Sequence, residues 1–360
     1  MSAPEPAEPR VLFVGGLGRS GSTLLELLLA QSADVCAVGE VVHLWERALG
    51  ADERCGCGER FTACPFWQQV GEHAFGGWSA VDRDDVLALK DRVDRTRHIP
   101  RLAKNSLSAE QLADVRRYAD LYTRIYRAAL AATGARVVVD SSKHASLAFA
   151  LRWAEGLDLR VLHLVRDSRA VAYSWGKQVR RPEVVDGEDF MPTFSPFEVS
   201  KLWTAQNAAF HLLAARAQVL RLRYEDFTAD PAGTVRRLRE FAGLPDDPEA
   251  LRILTSDHSS SARLTPRPDL ERSSDESSSA RPTPHPDLEP SPPAAPFRAH
   301  SVAGNPLRFS GGPLTVRRDE AWRDRLPRRS RAVVSLATLP FRVRYGYLGQ
   351  RGSDESVEKA

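Results

Sequence analysis

The chain has 360 residues, 42% of them hydrophobic, with 50 basic and 47 acidic side chains and a formal net charge of +3. That length and apolar content suit one large α/β domain or two small ones. A near-balanced charge without a Lys/Arg block gives no expectation of nucleic-acid binding, and with no apolar run of ~18 residues no membrane span is expected.

The opening MSAPEPAEPR carries acids and prolines in place of a basic, apolar leader. Residues 1–9 therefore read as a disordered tail, and the chain as cytoplasmic. The apolar run 11–14 predicts a buried strand, followed by a loop holding Gly15, Gly16, Gly18 and Gly21. Ser22 and Thr23 then open an apolar helix over 24–30. A short strand is predicted at 36–38, closed by Gly39-Glu40, then a short helix over 43–49 and an irregular Cys- and Gly-rich stretch over 51–78. Helical spacing returns at 80–94 and 109–133, where Val115, Tyr118, Tyr122 and Tyr126 form one stripe and read as core. Strands are predicted at 136–139, ending at Asp140, and at 160–165 and 219–224. Helices are predicted at 147–154, 167–178 and 199–217, then from Asp230-Pro231 to Ala242, with a last one over 329–347. Strands alternating with helices predict a doubly wound, mostly parallel sheet.

Residues 259–293 depart from this pattern. SSSARLTPRPDLE at 259–271 returns as SSSARPTPHPDLE at 277–289 with two substitutions. A Ser/Pro-rich unit this short cannot bury a core, so the segment reads as a disordered insertion. The expected organisation is one folded domain made of 10–258 and 294–349, with a second tail at 350–360.

Of the four cysteines, Cys55, Cys57 and Cys64 cluster in RCGCGERFTACPFW, with His73 nearby. The C-x-C-x6-C spacing lacks the C-x2-C pairs of common zinc sites. The segment therefore reads as a packed cap of free or occasionally oxidised thiols, with zinc bound by the three cysteines and His73 as the alternative, and no metal is expected.

The glycine-rich turn between strand and helix is a phosphate cradle: its amides point at an anion, and the helix dipole favours negative charge. A nucleotide-hydrolysing loop reads G-x-x-x-x-G-K-[ST]. Here Gly16 and Gly21 keep the spacing and Thr23 the hydroxyl, but Ser22 fills the lysine slot and the cation has moved forward to Arg19. In VLHLVRDSRAVAYSW, Arg166 ends a second strand and Ser174 lies two helical turns on. An arginine fork and a hydroxyl so placed form a second phosphate grip. The plainer alternative is a salt bridge from Arg166 to Asp167 or Glu225.

Together these two motifs resemble the cofactor motifs of sulfotransferases that use 3′-phosphoadenosine 5′-phosphosulfate. G-R-S-G-S-T is similar to the 5′-phosphosulfate loop in the Arg form of carbohydrate and tyrosyl-protein members. L-V-R-D-S-R-A-V-x-x-S is similar to the 3′-phosphate motif. G-E at 39–40, C-x-C-G…C-P-F-W, D-S-S-K, R-Y-E-D and a late G-N-P-x-R-F with D-x-x-W-R resemble one bacterial branch of that family. The resemblance implies a P-loop-like α/β fold with a central parallel sheet. The implied co-substrate is 3′-phosphoadenosine 5′-phosphosulfate, and the acceptor is the hydroxyl of a small molecule or glycan. Arg19, Ser20, Gly21, Ser22 and Thr23 would hold the 5′-phosphosulfate, and Arg166 and Ser174 the 3′-phosphate. Asn305 and Arg308 would close a loop over the nucleotide.

The base implied for the acceptor hydroxyl is Glu40, with its pKa raised by burial. His43, its i+3 neighbour, is the competitor. Lys143 would stabilise charge on the leaving oxygen, as a lysine near this place does in similar enzymes, and Arg19 would share that work. Trp175, Trp203 and Asn207 flank the acceptor side, with both tryptophans read as core. Two other readings stay open: a P-loop kinase or NTPase using Asp140 as its magnesium acid, and a non-catalytic nucleotide-binding scaffold.

Overall fold

The structure, a computed structural model, describes residues 8–185, 189–248, 299–309, 314 and 316–348. The repeat at 259–293 and the tail at 350–360 lie outside the described residues.

Five parallel strands form one sheet in the order β2-β3-β1-β4-β5. β1 (Arg10–Gly15) is the middle strand, paired on one side with β3 (Val137–Lys143) and on the other with β4 (Asp158–Val165). β2 (Val35–Gly39) and β5 (Gln218–Arg223) are the edges. A central parallel strand is covered on both faces, which is why β1 is an unbroken apolar run. Val11 and Phe13 face one core, and Leu12 and Val14 the other.

On the first face lie α2 (Pro65–Phe75), α3 (Arg83–Val93), the short α4 (Ile99–Leu102), α5 (Ala109–Thr133) and α6 (Ala145–Leu151). The predicted stripe Val115, Tyr118, Tyr122 and Tyr126 is buried there. The second face is covered by α1 (Ser22–Leu29) and, after α7 (Ser168–Trp175) and α8 (Pro196–Leu213), by α9 (Tyr224–Ala229) and α10 (Pro231–Phe241).

Three differences from the sequence expectation have clear causes. The stretch 51–78 contains an 11-residue helix, α2, started by Pro65 at its first position, where the missing N–H costs nothing. The predicted helix over 43–49 is a 3-10 turn, Val41–His43, running into a π-turn, Leu44–Ala48. The last helix is two, Arg328–Ala337 and Leu339–Arg344, because Pro340 lacks the amide needed to continue the first. Among the described residues no helix is long and apolar enough to cross a membrane.

Candidate active site

In an open parallel sheet, ligands bind beyond the carboxyl ends of the strands. Here each of the five strands delivers a residue to one cavity at that edge. β1 leads into Gly18, Arg19, Gly21, Ser22 and Thr23, β2 into Glu40, β3 ends in Lys143, and β4 and β5 lead into Arg166 and Tyr224. Leu24, Ser174, Trp175, Met191, Asn305 and Leu307 complete the lining.

The loop after β1 requires glycine at two places. Gly16 has φ +134°, and a Cβ there would lie 2.3 Å from the carbonyl oxygen of Leu164; Gly21 has φ +93°, and a Cβ there would lie 2.6 Å from the Tyr224 ring. Gly21 precedes α1 with no side chain capping it, so the first-turn amides and the hydroxyls of Ser22 and Thr23 sit at an uncapped, positive helix end. Arg19 and Lys143 both adopt left-handed backbone, φ 71° and 67°, although neither is glycine. Such conformations cost about 1–3 kcal/mol each and cluster at functional sites.

Arg19 lies over the Trp175 ring (5.2 Å to its centroid) and donates to Met191 Sδ at 3.1 Å. Burial lowers its pKa, against the pull of Glu40. Arg166 donates from Nη1 to the Arg19 carbonyl oxygen at 3.0 Å, so the two cationic grips are directly joined. Its guanidinium packs over the Tyr224 ring at 4.4 Å and pairs with Asp319 Oδ2 at 3.3 Å. The salt bridge weighed for Arg166 from sequence is therefore made, but with neither expected partner. Asp167 pairs instead with Arg169, and Glu225 accepts from the Asp167 amide and the Tyr347 hydroxyl.

Glu40 forms an ion pair with Lys143, and its Oε2 lies 3.7 Å from His43 Nε2. Burial works to raise the Glu40 carboxyl, but the cations Lys143 and Arg47 outweigh it and hold it below the usual carboxylate range. This corrects the expectation of a raised pKa: the neighbouring cation decides, not burial. His43 does not line the cavity. Burial pushes its imidazole down to about 3, so it is neutral at physiological pH and far weaker as a base than an ordinary histidine.

Two predicted residues stand outside the lining. Ser20 donates its hydroxyl to the Leu17 carbonyl oxygen at 2.7 Å and shapes the loop. Arg308 is buried, with its guanidinium on the carbonyl oxygens of Ser301 (2.6 Å) and Arg54 (3.2 Å), and so ties the segment 299–309 to the cysteine loop. Of the residues placed near the acceptor side, Trp203 is core and donates to the Arg166 carbonyl oxygen, and Asn207 bonds His163. Trp175, read as core, instead lines the cavity and donates to the Gly18 carbonyl oxygen at 3.0 Å.

Sequence reasoning missed Tyr224, Met191 and Glu26. Glu26 is an acid inside an apolar helix. It accepts from the Gly39 amide (2.7 Å) and the Ser141 hydroxyl (2.6 Å), fixing the end of β2 just before Glu40. Burial pushes its carboxyl up to about 7. Asp140 is fully buried and accepts from the Tyr126 hydroxyl (2.6 Å) and the Ser142 amide (2.7 Å). With both oxygens so engaged and turned away from the cavity lining, it is not placed as a magnesium acid.

A lysine-free glycine loop, paired arginines and a Glu–Lys couple thus meet at the carboxyl end of the parallel sheet, in a cavity whose cations suit an anion. The sequence profile of the Sulfotransferase family matches residues 9–248, and the chain belongs to that family. No curated protein matches it in sequence. Among solved structures, the sulfotransferase domain of the Synechococcus PCC 7002 olefin synthase is 22% identical, with 70% of this chain and 78% of that one covered and a TM-score of 0.37. Sulfotransferase STF1 from Mycobacterium tuberculosis H37Rv is 19% identical over 71% and 72%, TM-score 0.37. A sulfotransferase from Alicyclobacillus acidocaldarius is 18% identical over 70% and 91%, TM-score 0.33. These structural likenesses are remote, and the family assignment rests on the sequence match.

Proposed function

We propose that the protein moves a sulfuryl group from 3′-phosphoadenosine 5′-phosphosulfate to the hydroxyl of a small-molecule or glycan acceptor. The observation that carries this reading is the junction of Arg166 with the Arg19 carbonyl oxygen inside one cavity. Both anion grips line one cavity, which supports binding of a single nucleotide that carries 5′ and 3′ charges. The uncapped start of α1, with Ser22, Thr23 and the loop amides, receives the 5′ end. Arg166 and Ser174 receive the 3′-phosphate.

The reaction forms a bond from acceptor oxygen to sulfur and breaks the bond from sulfur to the phosphate oxygen; the acceptor proton goes to Glu40. Lys143 has two roles. In the free site it neutralises Glu40. With donor present, its ammonium is shared with the bridging oxygen, where negative charge grows. As Lys143 shifts toward that oxygen, its hold on Glu40 weakens and the carboxylate becomes more basic when the proton has to move. Arg19 supplies the remaining positive charge, and Trp175 keeps its guanidinium from swinging away. A sulfuryl group carries less charge than a phosphoryl group, so a loop with serine in the lysine slot suits it. The kinase and NTPase reading loses support from that same serine and from Asp140, whose carboxylate is held by Tyr126 and Ser142.

The test is transfer of labelled sulfate from the donor to a panel of hydroxylated metabolites. Glu40→Gln is expected to lose roughly 10²–10⁴ in turnover while binding adenosine 3′,5′-bisphosphate as before. An unchanged rate in that variant rejects Glu40 as the base, and no transfer to any acceptor by the wild type rejects the activity.

A further inference from the structure

Outside this site, Cys55, Cys57, Cys64 and His300 bring one ligand atom each to within 4.8 Å of one another. His73, the histidine suggested by sequence proximity, is exposed on α2 and takes no part. The fourth member comes from 236 residues beyond Cys64, a distance that hides it from any spacing rule.

Four of the six separations are close to the edges of a coordination tetrahedron. With metal–sulfur and metal–nitrogen bonds of about 2.3 and 2.0–2.1 Å, a zinc tetrahedron has sulfur–sulfur edges of about 3.8 Å and sulfur–nitrogen edges of about 3.5 Å. Cys57 Sγ lies 3.7 Å from Cys64 Sγ, and Cys64 Sγ lies 3.8 Å from Cys55 Sγ. His300 Nδ1 lies 3.3 Å from Cys64 Sγ and 3.9 Å from Cys55 Sγ. Among the described residues no disulfide joins the cysteines.

The surroundings are built for thiolate. Cys64 stands at the N-terminus of α2, the end of the helix that favours negative charge. A tight turn, with the Gly58 amide on the Cys55 carbonyl oxygen and the Cys55 amide on that of Glu59, folds the first two cysteines inward. His300 is fixed from two directions: Phe66 stacks on its ring at 4.9 Å, and Trp67 Nε1 donates to its carbonyl oxygen at 3.0 Å.

We infer that Cys55, Cys57, Cys64 and His300 form a closed Cys3His site for a structural zinc ion. Soft thiolates with one imidazole in a tetrahedron select zinc over hard cations, and four protein ligands leave no open position for catalysis. Three thiolates and a neutral imidazole around a divalent ion leave one net negative charge, and the buried Arg308 guanidinium, bonded to the carbonyl oxygen of Arg54 next to Cys55, offsets it.

The ion would fasten the segment that returns after the long insertion. From His300 the chain runs beside β2: the Gly56 amide donates to the Ser301 carbonyl oxygen, the Val302 amide to that of Val38, and the Glu40 amide to that of Val302. Gly304 then packs on the Glu40 carboxylate, and Asn305 and Leu307 enter the active-site cavity. The zinc therefore holds the strap that closes the nucleotide site, whatever acceptor the enzyme uses.

The experiment is metal analysis of the full-length chain, purified without added metal and dialysed against EDTA. About one zinc per chain is expected, given the affinity of such sites. Titrating the thiols of the wild type with a mercurial should release that zinc into a chromogenic chelator. Cys57→Ser and His300→Ala should lose it, and His73→Ala should keep it. A wild-type chain without zinc, stoichiometric iron in its place, or full zinc retention by His300→Ala would overturn the assignment. The wild-type measurements decide even if the ligand variants fail to fold.

Discussion

Arg166 meets a carboxylate in the free protein, and replacing Asp319 with asparagine tests what that arginine is for. Asp319 Oδ2 lies 3.3 Å from Arg166 and 3.8 Å from Lys177, and its Oδ1 accepts from the Ala321 amide at 3.2 Å. Asparagine keeps the acceptor for Ala321 and removes the charge. At an effective dielectric of 20 the bare Coulomb attraction at this distance is about 5 kcal/mol. The Asp319 side chain is 37% exposed, however, and water and salt reduce the net value to about 1 kcal/mol. A phosphate arriving at Arg166 must displace this carboxylate. Asp319→Asn should therefore tighten adenosine 3′,5′-bisphosphate about fivefold and leave adenosine 5′-monophosphate unchanged. Isothermal titration at two salt concentrations measures both, and the gain should shrink as ionic strength rises. Equal tightening of the two nucleotides would refute the 3′-phosphate role of Arg166, because the change would then be a general electrostatic one.

Two further substitutions probe the site's construction. Gly21→Ala places a Cβ at φ +93° against the Tyr224 ring; a stability loss of about 2 kcal/mol with weaker nucleotide binding is expected in denaturant titration, and a fully stable variant would contradict the loop argument. Glu26 titrates near 7 when folded and near 4.5 when unfolded, so the stability that its protonated form contributes is present below pH 4.5 and lost as pH rises through 7. Glu26→Gln should remove about 3 kcal/mol of that pH dependence, read from unfolding midpoints between pH 4.5 and 8; an unchanged slope would refute it.

Much of the fold was legible because local signals agreed with the tertiary one. Helix α5 begins and ends where its sequence predicts, since Ser108 and Gln111 form a capping box and Gly134 terminates it in left-handed conformation. The apolar runs of β1 and β4 marked buried parallel strands. β3 was read too short: its apolar run stops at Val139, but the strand continues through Asp140, Ser141 and Ser142 to Lys143. Those polar residues survive burial because Tyr126, Glu26 and the Val42 amide meet them, and only the folded chain supplies those partners. The motif residues Arg19, Glu40, Lys143, Arg166, Ser174 and Asn305 converge in one cavity. Arg308 was legible as a charge but not as a tie between two loops, because its acceptors are backbone carbonyl oxygens. His300 was invisible because its partner Cys64 lies 236 residues away and nothing local in HSVAGNP marks a ligand.

The most direct test of the central claim is a crystal structure with adenosine 3′,5′-bisphosphate bound. The account predicts the 5′-phosphate on the amides of residues 19–23 and the hydroxyls of Ser22 and Thr23, and the 3′-phosphate on Arg166 and Ser174, with Asp319 displaced. A nucleotide bound in the opposite sense, or outside this cavity, would contradict it.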